Sequence, residues 1–135
     1  MTAKEYLSRA HRLNDKINAL LVELERYKEL SCSISSPQLG ERIQTSRNAD
    51  PPFVRALIKI DETQRKINAA IDSLVDVKLD ITERIGRMEN ADEQTLLHYR
   101  YLDEFSWNDI ALKMNVSLRT IYRLHGSALQ HFPMD

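Results

Sequence analysis

Along residues 2–30, apolar or small side chains recur at Ala10, Leu13, Ile17, Leu20, Leu24 and Tyr27, in alternating steps of three and four. A backbone that turns every 3.6 residues gathers such positions into one stripe, so the spacing predicts a long helix with a heptad seam. Leu7, Leu21 and Leu30 flank the stripe and widen it toward more than one neighbour. The same alternation returns from Phe53 to Met88 through Leu57, Ile60, Gln64, Ile67, Ile71, Leu74, Lys78, Ile81 and Ile85. At ~1.5 Å per residue this second helix is expected to be roughly 50–55 Å long, and one apolar stripe of that length needs a partner. The two helices are therefore expected to fold back as an antiparallel, coiled-coil-like hairpin. Its seam is read as Leu13, Ile17, Leu20 and Leu24 against Leu57, Ile60, Ile67, Ile71, Leu74, Ile81 and Ile85, with the surplus length left for another copy of the chain or a C-terminal module. Gln64 and Lys78 fall within that seam, where polar residues commonly fix register.

Between the helices, residues 31–52 are rich in serine and contain Pro37, Gly40, Pro51 and Pro52. No helix continues through such a stretch, so a polar loop is expected at about 31–52, with Pro52 opening the second helix and Asp50 as its cap.

After residue 89 the pattern shortens. Asn90 followed by Glu93 is a capping box, predicting a helix that carries Leu96, Leu97, Tyr99, Tyr101 and Leu102 and ends near Asp103. Ser106 followed by Asp109 repeats the signature before a short helix with Ile110, Ala111 and Met114 inward. Ser117 then caps a third helix with Ile121, Leu124, Ala128 and Leu129 inward. Only Asn115, Val116 and Ser117 separate the last two. A short helix, a tight turn closed by an inward Val116, and a longer helix are the ingredients of a helix-turn-helix. The helical period leaves Leu118, Arg119, Tyr122 and Arg123 on the outer side, with Thr120 near the boundary. Arginine can grip guanine bidentately, threonine and leucine can touch a thymine methyl, and tyrosine can reach a phosphate. The fold class expected is thus all-α, with a long hairpin region at 1–89 and a helix-turn-helix domain at 90–135.

Composition supports that class. Three glycines and four prolines in 135 residues are too few for a turn-rich β architecture. Cys32 is the single cysteine, so neither an intrachain disulfide nor a CxxC metal pair is available, and His11, His98, His125 and His131 show no ligand-like pairing. No metal or other cofactor is expected. No signal-peptide core and no run of eighteen apolar residues occurs, so neither export nor a membrane partner is expected and the cytoplasm is the expected location. The formal charge is −1, whereas non-specific nucleic-acid affinity comes from Lys and Arg. Yet from Leu118 to His131 the charged or titratable residues are Arg119, Arg123, His125 and His131, without an acid.

At Leu97, Tyr101, Ile110, Ala111, Val116, Ser117, Ile121, Leu124, Ala128 and Leu129 the chain resembles the fourth region of bacterial sigma factors, which reads the −35 promoter element. The stretch HYRYLDEFSWNDIALKMNVSLRTIYRLHGSAL resembles still more closely short sigma-like regulators of phages and prophages of Gram-positive bacteria. The resemblance covers roughly the last third of the chain. It implies Leu118, Arg119, Tyr122 and Arg123 against base edges or nearby backbone, and Ser106, Trp107 and Ser117 near phosphates. Leu118 stands where sigma factors often carry a basic residue, and no equivalents of the polymerase-binding or −10-reading regions are present. An activator or accessory factor acting with RNA polymerase is therefore expected rather than a complete sigma factor.

The leading expectation is a non-enzymatic, sequence-specific regulator that binds double-stranded DNA as a homo-oligomer, linked modules raising apparent affinity without new contacts. Two alternatives belong to other classes: a small-terminase-like DNA-packaging oligomer, and a protein-interaction module that touches no DNA. No phosphate loop, nucleophile elbow or metal-spaced cluster points to an enzyme, and no catalytic residue is assigned.

Overall fold

The structure, a computed structural model, describes residues 1–34 and 51–135, and among these every regular element is helical. Two long helices, α1 (Ala3–Ile34) and α2 (Pro52–Gly86), make a helical hairpin ahead of a C-terminal helical domain. That domain contains α3 (Ala91–Leu97), a π-helical turn (His98–Leu102), α4 (Trp107–Met114) and α5 (Leu118–His131). Pro52 occupies the first position of α2, where its missing N–H is harmless and its fixed φ already suits a helix. α1 runs past Leu30 to Ile34, because no glycine or proline occurs before Pro37. Most of the loop expected at 31–52, including Asp50, lies outside the described residues. Among the described residues no helix is long and apolar enough to cross a membrane.

Two compact units divide the chain, one made of Met1–Asn14 with Ser73–Asp135 and the other of Asp15–Asp72. The boundary expected at 89/90 does not coincide with this division. The first turns of α1 and the end of α2 belong with the C-terminal helices, because they complete one core: Tyr6, Leu7, Ala10, Ile81, Ile85 and Met88 join Leu96, Leu97, Tyr101, Ile110, Ala111, Ile121, Ala128 and Phe132. Each of the fully buried Leu and Ile side chains contributes about 1.5–3 kcal/mol relative to exposure. Leu74 packs against the same core half-buried. The end of α2 is closed by Gln94, whose Nε2 donates to the carbonyls of Ile85 at 2.9 Å and Met88 at 3.0 Å, partners that a helix C-terminus otherwise lacks.

In the second unit the α1 side buries Ile17 and Leu24, with Leu20 partly covered, and the α2 side buries Ala56, Thr63, Ile67 and Ala70, with Ile60 partly covered. Tyr27 of α1 feels the charges of Lys59 and Glu62 of α2, and a hydrogen bond to Glu23 raises its pKa first of all. The expected seam is thus displaced by one residue at alternate positions. Ala56, Thr63 and Ala70 are covered where Leu57, Gln64 and Ile71 were expected; Leu57 is 45% and Ile71 41% exposed. Small side chains there let two backbones approach, whereas a reading by apolar size selects their larger neighbours. Gln64 is exposed and donates to Asn68. Lys78, in the first unit, leaves the seam to donate to the Leu102 carbonyl.

Candidate nucleic-acid interface

The turn between α4 and α5 is built by local chemistry. Asn115 takes the left-handed conformation (φ 57°, ψ 46°), which asparagine tolerates better than most residues. Its N–H reaches the Leu112 carbonyl at 3.2 Å, and that of Val116 reaches Ala111 at 3.1 Å, the paired bonds of a Schellman ending. Ser117 then caps α5, its Oγ accepting from the Thr120 N–H at 3.2 Å. Ser106 does the same for α4 through the Asp109 N–H at 3.1 Å. Val116, expected to plug the joint, is instead 39% exposed. The left-handed Asn115 swings it outward, and Ala111, Ile110 and the half-buried Met114 fill the joint without it.

α5 is anchored on one face and open on the other. Ile121 and Ala128 are fully buried, and Leu124 and Leu129 pack against the same core. Leu118, Arg119, Thr120, Tyr122 and Arg123 are exposed, together with Ser117 and Ser106 at the two helix starts. The side chains named from the sequence as DNA contacts are therefore all accessible to solvent except Trp107, which is partly buried. Gly126 is exposed, and an added Cβ there would meet nothing within 4 Å, so no close approach within the chain requires that glycine.

Two further anchors were not read from the sequence. Glu93, expected to complete the capping box, is only 2% exposed. Asn90 makes its half of that box, accepting from the Glu93 N–H at 3.1 Å. The Glu93 carboxylate turns instead to α5, accepting from the Ser127 hydroxyl at 2.8 Å and lying 2.8 Å from His131 Nδ1. A buried carboxylate needs such donors, and here they fix the rotation of the exposed helix. The only sequence signal was the pairing of Ser127 and His131 four residues apart on α5.

The second anchor surrounds His125, an ordinary surface histidine by sequence but half-buried in the fold. Its Nε2 shares a hydrogen bond of 2.7 Å with the Tyr101 hydroxyl, and its ring meets Trp107 edge-on at 4.7 Å. Burial, then Lys4, then Arg100 push its pKa down to about 4, so it stays neutral. Burial also raises the Tyr101 pKa, against a lowering by Arg100. Trp107 contacts Tyr122 at 5.7 Å and carries the Arg100 guanidinium over its ring at 4.4 Å. It thus joins α4 to α5 as a packing residue while bordering the exposed face.

The backbone beneath this cluster is unusual. The N–H of Asp103 bonds to the His98 carbonyl at 3.0 Å, five residues back, and Glu104 adopts φ 58°. Non-glycine residues enter that region at a cost. Glu104 is held there by His11 Nδ1 at 3.1 Å and by the amide of Asn14, both from α1.

Compared with known proteins, the chain matches the model of a family described as "Protein of unknown function (DUF1492)" over residues 33–132. No curated protein and no solved structure matches it.

Proposed function

The chain belongs to the DUF1492 family of proteins of unknown function, and we propose that it is a sequence-specific, non-enzymatic regulator of phage or prophage transcription that reads double-stranded DNA through α5. The observation that carries this reading is the outer face of α5. Arg119, Thr120, Tyr122 and Arg123 stand exposed beside Leu118 on a helix whose other face is locked by Ile121, Ala128 and the buried Glu93. A reading helix must present base-contacting side chains in a fixed orientation, and a tight turn after a shorter helix is the arrangement that does so in the major groove. Contact with backbone phosphates is supported by the exposed starts of α4 and α5 at Ser106 and Ser117, where the N–H groups left over by each cap suit an anionic oxygen. The resemblance to sigma region four adds RNA polymerase as a partner and accessory activation as the mode of action.

Self-association belongs to the same proposal. Leu57, Ile58 and Ile71 are more than 40% exposed, and Leu57 and Ile71 keep the heptad spacing that a second copy would use. Two reading helices on one assembly bring in paired half-sites and compensate for the formal charge of −1. That same charge favours a second reading, in which the exposed face grips a protein and no DNA.

Selection of bound sites from a random duplex pool at about 0.1 M salt, where electrostatic binding is already weakened, separates the two. A defined motif enriched by the wild type and lost in Arg119→Ala/Arg123→Ala supports reading by α5. No enrichment by the folded wild type rejects it in favour of protein interaction.

A further inference from the structure

Beside the reading face lies a cleft of ≈ 340 Å³ lined by Lys4, Ser8 and His11 of α1, Arg100 and Tyr101 of the π turn, Glu104 just beyond it, Trp107 of α4, and Tyr122 and His125 of α5. Its composition is that of an anion site. Lys4 and Arg100 carry fixed positive charge, Tyr122 brings a hydroxyl, the Ser8 hydroxyl is spent on the Lys4 carbonyl at 2.7 Å, and the acid among the lining residues, Glu104, is already engaged by His11 and Asn14. The Arg100 guanidinium lies over the Trp107 ring and spends one N–H on the Phe105 carbonyl at 3.2 Å, which leaves further guanidinium donors. Burial first, then the charges of Lys4 and Arg100, lower the pKa of His125 at the cleft wall.

Position decides what kind of anion. Tyr122 belongs both to the cleft wall and to the exposed face of α5, and Trp107 is the first residue of α4. Cations and hydroxyls flanking a base-reading helix are the groups that contact DNA backbone and set register on the duplex. Resting on the regulator reading above, we propose that this cleft receives a phosphodiester of the DNA backbone, with Lys4 and Arg100 as its cationic ligands. The first helix then takes part in DNA binding, although its sequence reads only as hairpin.

The test uses the full chain and the duplex selected from the random pool, titrated by fluorescence anisotropy over a salt series. Lys4 is exposed, so Lys4→Ala leaves the fold intact. It is expected to weaken binding roughly three- to tenfold, equally on the selected duplex and a scrambled one, and to lower the steepness of the salt dependence by about one ion. Lys4→Arg is expected to restore both, and the selected motif stays unchanged. On binding, the His125 imidazole, followed by NMR, is expected to move its pKa upward as the phosphate neutralises the charges of Lys4 and Arg100. Unchanged affinity and salt slope in Lys4→Ala, with wild type binding its motif, overturns the phosphate site and leaves the regulator reading standing. Saturation of the cleft by inorganic phosphate or a free mononucleotide, with DNA affinity unaffected by Lys4→Ala, overturns the DNA source in favour of a free phosphate ligand. A wild type that selects no motif and binds no duplex overturns both.

Discussion

His125 shows how much a single side chain owes to its surroundings. Lys4 and His11 face it from α1, Arg100, Tyr101 and Glu104 from the π turn and its exit, and Trp107 from α4. Burial and the two fixed cations hold its folded-state pKa at about 4, against an ordinary value of 6.5. The unfolded chain therefore binds the proton more readily, and the stability that neutral His125 confers is complete above pH 6.5. It is lost progressively as pH falls toward 4. Because the ring is only half-buried, solvent screening reduces that contribution to roughly 1–2 kcal/mol. Urea unfolding between pH 4 and 7 is expected to show this slope in the wild type and a flatter one in His125→Gln; equal slopes reject the assignment. Nothing in the sequence near His125 announces it. Its neighbours come from α1 and α4, distant along the chain, whereas the caps at Ser106 and Ser117 act on N–H groups three residues away. For the same reason Asn90 was legible as a cap while the buried partners of Glu93 were not.

Helix ends are the scale at which sequence and structure agree best. Ser106 and Ser117 each satisfy an N–H that their helix would leave open, and loss of such a cap costs ~1 kcal/mol. Ser106→Ala and Ser117→Ala are each expected to lower the unfolding free energy by that amount, and the double variant by about the sum, since the two caps share no bond. A sum well short of additivity in chemical denaturation would mean that the turn and the start of α4 rearrange together. Both variants are expected to weaken DNA binding beyond their effect on folding, Ser117→Ala the more, because its helix carries Arg119 and Arg123. The π turn at His98–Leu102 had no counterpart in the sequence reading. Within it Tyr101 is buried in the core and Arg100 lies over Trp107 of α4. Periodicity within a five-residue stretch carries no such information.

At the scale of the molecule, the hairpin and the order of the helices were legible because heptad spacing persists over many turns. The seam was harder to read. Ala56, Thr63 and Ala70 lie one step from Leu57, Gln64 and Ile71, and both sets keep the same period. Which set is covered depends on how closely the helices approach, which no single-chain pattern specifies. The uncovered set carries the expectation of self-association. Sedimentation of the full chain is expected to give a dimer or larger species, and Leu57→Glu/Ile71→Glu a monomer of unchanged helicity; a monomeric wild type removes the oligomer from the proposal. The division into units also bears on portability. A helix-turn-helix is often regarded as a cassette, and here residues 90–135 look like one in sequence. Yet Tyr6, Leu7 and Ala10 supply part of the core beneath α5, and His11 with Asn14 holds the exit of the π turn. Transplanted to another scaffold, the cassette would arrive with its floor missing. The unit that contains α5 is made of both Met1–Asn14 and Ser73–Asp135, so fusing the two by a short linker, not truncation, is the route to a portable version.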